Sequence, residues 1–509
     1  MTLRAVLCLV LLIPFAFLSP ANATVIVVAT VSDAIAVDNR CTLREAIQAA
    51  NTDTQVDTCP AGFGEDVIEL FFTSEHVLSL AGTGEDQNQT GDLDIRDDVI
   101  IRPADPGVIV TINAAGIDRV FEVFDGANLT LERIRVVGGD VIGFGGGILG
   151  LQPTSRITLS SSQIVNNSAS LFGGGVFSEG ALDLVDTTIE NNDAIFGGGI
   201  FMGTDEPLTL LRSDIRSNDA SSDGGGINAL VIEVEDSSIG NNDAGRHGGG
   251  IAFRVESGMP PFGQITNSTI AENGAAEHGG GIYKDGLGSL EIYNSTIAWN
   301  AADTDQDNNG DGGGLFVNSG TVQLLSSIIG SNLDLSQTRG VDFAPDCRGP
   351  INSQGYNLLA SIDATDCPIT GDTTGNITGS IASPVEPALD CLGNYGGPTR
   401  SVPPTDSSPA VDAGHILGCT DADGMALQLD QRAHLRPWDG PDPDTNARCD
   451  IGSVELGAPS ITVVFMDNFE SGDTSAWSPG SFQATLLKRG GGGGDCVDPE
   501  RRWSHLVGR

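Results

Sequence analysis

Aromatic side chains make up only 5% of the 509 residues, and 25 Lys and Arg face 68 Asp and Glu. The resulting formal charge of −43 excludes a nucleic-acid binder held by phosphate contacts. No apolar run reaches the roughly 20 residues needed to span hydrocarbon; the N-terminal one, Ala5 to Leu18, is short and contains Pro14. Cysteine is missing between Cys59 and Cys347. So are a His-Glu-x-x-His zinc motif and a phosphate loop around Lys284 or Lys488. The string Gly145-x-Gly147-x-x-Gly150 opens no helix, so it predicts no dinucleotide site.

Glycine is in excess, with 68 residues, nearly twice its usual share of roughly 7%. Val, Ile and Leu remain frequent enough for a core, which argues against a disordered acidic tail. From residue 129 to 332 one pattern recurs: apolar-x-apolar-x-x-[Ser/Thr]-x-Ile-x-x-Asn, then a Gly triplet followed by Ile, Val or Leu. The Asn positions are Asn167, Asn192, Asn218, Asn242, Asn273, Asn300 and Asn332, with Gly139 in the same place of a degenerate first copy. The triplets begin at Gly145, Gly173, Gly197, Gly224, Gly248, Gly279 and Gly312.

Apolar residues within a copy alternate with period two, as at Leu182 and Leu184, so each copy predicts short strands and excludes a helical solenoid. One copy has nothing to bury against. Stacked copies do, and the pattern predicts an all-β, right-handed parallel β-helix with Ile189, Ile215, Ile239, Ile270 and Ile297 in one inner ladder. The Asn column is expected to take a left-handed bend at one corner, and the glycines to turn the opposite one. Thr42 and Glu45 form a capping-box pattern that opens a helix with Leu43, Ala46, Ile47 and Ala50 on one face, a lid for the first rung.

Residues 1–23 have a secretory signal's order: Arg4, the apolar run, then Ala21-Asn22-Ala23. Export permits disulfides. Sequence proximity favours Cys41–Cys59, Cys347–Cys367 and Cys419–Cys449, leaving Cys391 and Cys496 over, although spacing leaves other connectivities open. The expected division is a signal (1–23), a cap with first coils (24–128), regular coils (129–345), a C-terminal disulfide-bonded β/loop domain (346–457), a short module (458–487) and a tail (488–509).

The stretch from Cys41 to Ala46 resembles the CSLREA motif of bacterial surface proteins, with Thr42 in place of Ser. The Gly-triplet and Asn repeats resemble those of polymorphic outer-membrane proteins. Segments around Asn357, Asn394 to Thr399, Ser408 to Gly414, Asp430-Gln431-Arg432, Arg436-Pro437 and Cys449 to Gly452 resemble the choice-of-anchor Q domain, with Ala433 where that pattern has Gly. The resemblance implies a secreted or bacterial cell-surface protein and implies no established reaction.

Two groups of residues point to chemistry. Asp303, Asp305, Asp307, Asn309 and Asp311 alternate like the ligands of a calcium loop, although Asn308 and Gly314 stand where Gly and Glu are usual. The residues preceding the triplets form a column: Phe144, Phe172, Phe196, Asp223, His247, His278 and Asp311. Asp223, His247 and His278 are candidate ligands for a transition metal or a sugar. The expected function is non-catalytic, in adhesion or contact with a surface glycan. The alternative is a calcium-assisted polysaccharide lyase, for which Arg246, Arg254 and Glu277 could join a cluster. Asp223 and Asp311, three rungs or about 14 Å apart, cannot form a hydrolytic carboxyl pair.

Overall fold

The computed structural model describes residues 23–71, 74–124, 126–253, 262–336, 345–415, 419–421, 424–440 and 447–460. The expected signal (apart from Ala23), the tail, Arg254, Cys496 and nearly all of the 458–487 module lie outside the described residues.

The repeats form a parallel β-solenoid. One rung runs through Ala181–Val185, Thr188–Glu190, Asp193–Ala194 and Ile200–Met202, and the next begins at Leu208–Leu211. Each strand pairs in parallel with its counterpart one copy later, so Leu182 lies over Leu208, Ile189 over Ile215 and Ile200 over Ile227. Among the described residues this produces sheets of thirteen, twelve, ten and eight strands. Alternation sends Leu182, Leu184, Ile189, Ile200 and Met202 inside, all fully buried. The expected ladder Ile189, Ile215, Ile239, Ile270, Ile297 is continuous.

The asparagine column is a buried hydrogen-bonded ladder. Asn192 donates Nδ2–H and its backbone N–H to Oδ1 of Asn218, both at 3.0 Å, and the pattern repeats through Asn332. Gly139 joins it as expected, donating its N–H to Asn167 Oδ1 at 3.0 Å. A parallel ladder of hydroxyls runs through Ser162, Thr187, Ser213, Ser237, Ser268, Ser295 and Ser327.

The left-handed bend falls one residue before the expected place. Asn166, Asn191, Ser217, Asn241, Glu272, Trp299 and Ser331 have φ between +53° and +63°. The ladder asparagine faces inward to bond between rungs, so its neighbour makes the corner and can be Glu or Trp. The triplets turn the opposite corner: Gly197 has φ +62°, while a Cβ on Gly198 would meet Asp219 O and one on Gly199 would lie 3.0 Å from Asn218 Nδ2.

At the N-terminal end, helix Leu43–Thr52 starts with the expected capping box and packs on the strands Val25–Val28, Asp66–Leu70 and Leu93–Ile95. Arg44 and Glu45 are buried with the apolar face, Arg44 pairing with Asp33 at 2.6 Å. The three expected disulfides are present, and Cys391 is disulfide-bonded as well.

The segment expected as a separate C-terminal domain has two parts. Strands from Cys347–Arg348 to Ile377–Ser380 extend the stack. The described residues between 385 and 460 then fold back along the twelve-stranded sheet, covering Ala271, Ala298, Ile328 and Leu358 with Leu392, Val402, Ala410 and Ile451. Arg400 holds Asp214 with two bonds of 3.1 Å; Gln431 donates to Ser237 O at 2.9 Å; Arg436 reaches Asn267 at 3.0 Å. Small outward residues on some of those rungs, Gly240, Ala271 and Ala298, leave room for this strap, whereas Ile328 and Leu358 meet it as large apolar ones. Among the described residues no helix is long and apolar enough to cross a membrane.

Candidate functional site

The corner column is in register. Gly197 N donates to Asp223 O, Gly224 N to His247 O, Gly248 N to His278 O and Gly279 N to Asp311 O, all at 2.9–3.1 Å. Asp223, His247 and His278 therefore lie on successive rungs. Beside them, the outward residues of the ten-stranded sheet make a second column that the sequence reading missed: Asp94, Glu122, Leu149, Phe177, Phe201, Asn228, Ala252, Tyr283, Phe316 and Arg348. Its signal was available, since the strand residue five places after each corner residue always belongs to it. At ~4.8 Å per rung it spans about 43 Å.

The two columns build a ledge of flat rings. Phe144, Phe172 and Phe196 stack at 5.3 Å between centroids, with Phe177 and Phe201 alongside. Farther along, His247 stacks on His278 at 5.2 Å and on Tyr283 at 4.3 Å, and His278 on Phe316 at 4.3 Å. His278, Tyr283 and Phe316 are half-buried, each with part of its surface open.

Polar groups frame the second cluster. Arg246 Nη1 lies 3.7 Å from Asp223 Oδ2, and its Nε lies 3.8 Å from Glu277 Oε1. His247 Nε2 lies 3.5 Å from Glu277 Oε2, and its backbone N–H donates to Asp223 Oδ1 at 3.3 Å. Burial, reinforced by Arg246 and His278, pulls the imidazole of His247 down to about 4. It is neutral at neutral pH, a poor acid and a weak base. Burial raises the Asp223 carboxyl against the pull of Arg246. The two imidazoles are parallel within 4°, so their in-plane lone pairs do not converge on one ion. The rings cover one another's faces, so the arrangement presents a row of ring edges framed by hydrogen-bonding groups.

The acidic loop is partly assembled. Asp303, Asp305 and Asp307 each offer an oxygen within 4.8 Å of the others. Asp303 is fully buried and its Oδ2 has no hydrogen-bond partner. Asn308 has φ +70°, standing in for the usual glycine. Asn309 donates its backbone N–H to Asp307, whereas Asp311 turns to Arg348 at 3.6 Å.

Lys284 is fully buried, and its Nζ donates to the carbonyls of Gly286 (2.7 Å), Asp285 (3.1 Å) and Ser319 (3.4 Å). Three acceptors occupy its three donors, which makes it a fastener for two turns. No family model, curated protein or solved structure matches the chain.

Proposed function

We propose that this chain is an exported, non-catalytic β-helix of the bacterial surface or surroundings that contacts a glycan along the ring-lined ledge. The observation carrying this reading is the stacking of His247, His278, Tyr283 and Phe316 over successive rungs. The open edges of these rings give a pyranose's C–H groups an apolar contact, and the polar groups of Asp223, Arg246 and Glu277 suit its hydroxyls. A formal charge of −43 repels polyanions, so the favoured ligand is a neutral polysaccharide. The leader-like start and the resemblance to CSLREA and choice-of-anchor Q proteins support export.

Affinity electrophoresis through gels containing neutral polysaccharides tests the reading. Retardation of the wild type should be lost in a Tyr283→Ala/Phe316→Ala variant; equal mobility of both in every gel contradicts it. The lyase alternative predicts rising ultraviolet absorbance with acidic polysaccharides that chelator abolishes. Against it, Arg246 is shared between two carboxylates and His247 is a weak base.

The loop at Asp303, Asp305 and Asp307 is proposed to hold calcium, with the unpartnered Asp303 Oδ2 as the supporting observation. Calcium should raise the melting temperature, and Asp305→Ala should reduce that rise. A rise unchanged by Asp305→Ala contradicts the assignment.

A further inference from the structure

The ring column begins on two carboxylates. Asp94 and Glu122 are register partners on the first strands of the ten-stranded sheet, and Asp92 joins them with oxygens of all three within 4.8 Å. Asp92 and Asp94 are buried, and the Glu122 side chain is 12% exposed. Arg119 answers part of this charge, with Nη1 at 2.9 Å from Asp92 Oδ2 and 2.7 Å from Glu122 Oε2. It does not answer the rest. Asp94 Oδ2 accepts the backbone N–H of Asn88, but Asp94 Oδ1 is buried with no hydrogen-bond partner. Neighbouring Asp118, also buried, has an unpartnered Oδ2 that lies 3.0 Å from where a Cβ on Gly91 would stand.

Four carboxylates therefore crowd around Arg119, with Arg96 acting on Glu122 alone, and two of their oxygens receive nothing. Burying a carboxylate without a partner is costly. Burial pushes Asp92 up to about 7 and Asp94 up to about 8. We propose that Asp92, Asp94 and Glu122 bind a calcium ion at the start of the stack, with Asp118 as a nearby fourth acid. The donors are all hard oxygens, with no imidazole or thiolate among them, which favours calcium over a transition metal. This site does not rest on the glycan reading or on the Asp303 loop.

The position gives the ion a structural effect. Arg44 of the capping helix donates to Gly91 O at 2.8 Å and to Asp92 O at 2.7 Å, and Asn51 donates Nδ2–H to Asp94 O at 2.6 Å. An ion held by Asp92 and Asp94 fixes the backbone segment on which the lid is fastened.

Calorimetric titration of the chelator-treated full chain with calcium chloride tests the site. The background is an Asp303→Asn/Asp305→Asn variant, which removes the other acidic loop. That variant should still take up one calcium, with affinity falling by about tenfold or more on adding Glu122→Gln and uptake lost on adding Asp94→Asn. Should Asp94→Asn fail to fold by circular dichroism, Glu122→Gln decides alone. No calcium uptake by the background variant, or uptake unaltered by Glu122→Gln, overturns the proposal.

Discussion

Asn218 gives both its backbone N–H and its Nδ2–H to one oxygen, Oδ1 of Asn242, each at 3.0 Å, across 24 residues of sequence. Asn242 in turn donates Nδ2–H to Ile215 O at 3.0 Å. Copies of 24 to 32 residues hold register because every rung repeats this bond.

Asn242→Ala leaves two buried donors on Asn218 without partners and removes the side-chain bond to Ile215 O. A buried group stripped of its partner costs about 1–3 kcal/mol, so the two donors together should cost about 2–6 kcal/mol. Urea unfolding measures it, with Asn241→Ala at the outward corner as the milder control.

The ladder ends on Asp346, not on another asparagine. Asp346 Oδ1 accepts both donors of Asn332, and Oδ2 accepts the backbone N–H of Ser361 at 2.6 Å. The final partner is a donor where earlier rungs present acceptors, so only a carboxylate satisfies both sides. Asp346→Asn turns an amide N–H toward that of Ser361 and should cost about 1–3 kcal/mol in the same assay.

Asp236 sits under the C-terminal strap, where burial pushes its carboxyl up to about 7 from an ordinary 3.8. An acid raised in the folded state contributes stability below its unfolded pKa and loses it as pH rises toward its folded one. Its left-handed corner holds Asn at Asn267 and Asn294, so Asp236→Asn fits the backbone. The variant should match the wild type near pH 4 and melt higher at pH 8. Melting curves at the two pH values check this.

Ala433 is exposed with φ +60°. A Cβ is strained there, and glycine is not. Ala433→Gly should stabilise the strap by about 0.5–1 kcal/mol, read as a higher melting temperature.

The period of the stack was legible because a parallel ladder forces equal residue types into columns: Asn192, Asn218 and Asn242 in the ladder, Gly197, Gly224 and Gly248 at the turn. The bend was misplaced because Asn191 and Asn192 are alike in type and differ only in which faces inward. Asp346 was not read as a ladder member, since it follows Asn332 by 14 residues and has changed type. The strap escaped notice because Ala271 and Ala298 are too small to signal a partner and Ile328 and Leu358 look like ordinary strand residues. At the site, the histidine column was visible beside its Gly triplets. The companion rings Tyr283 and Phe316 looked like ordinary strand residues, and Asp94 and Glu122 meet only through register.

The vertical alignment of successive copies underlies both the ledge and the ladders. It is tested most directly by disulfide trapping between Thr209 and Glu233, outward register partners on neighbouring strands. Oxidised Thr209→Cys/Glu233→Cys should form the new bond in full by mass spectrometry. Thr209→Cys/Glu235→Cys, about 8 Å apart by strand spacing and rise, should not form it. Bonding at 235 and not at 233, or at neither, contradicts the register.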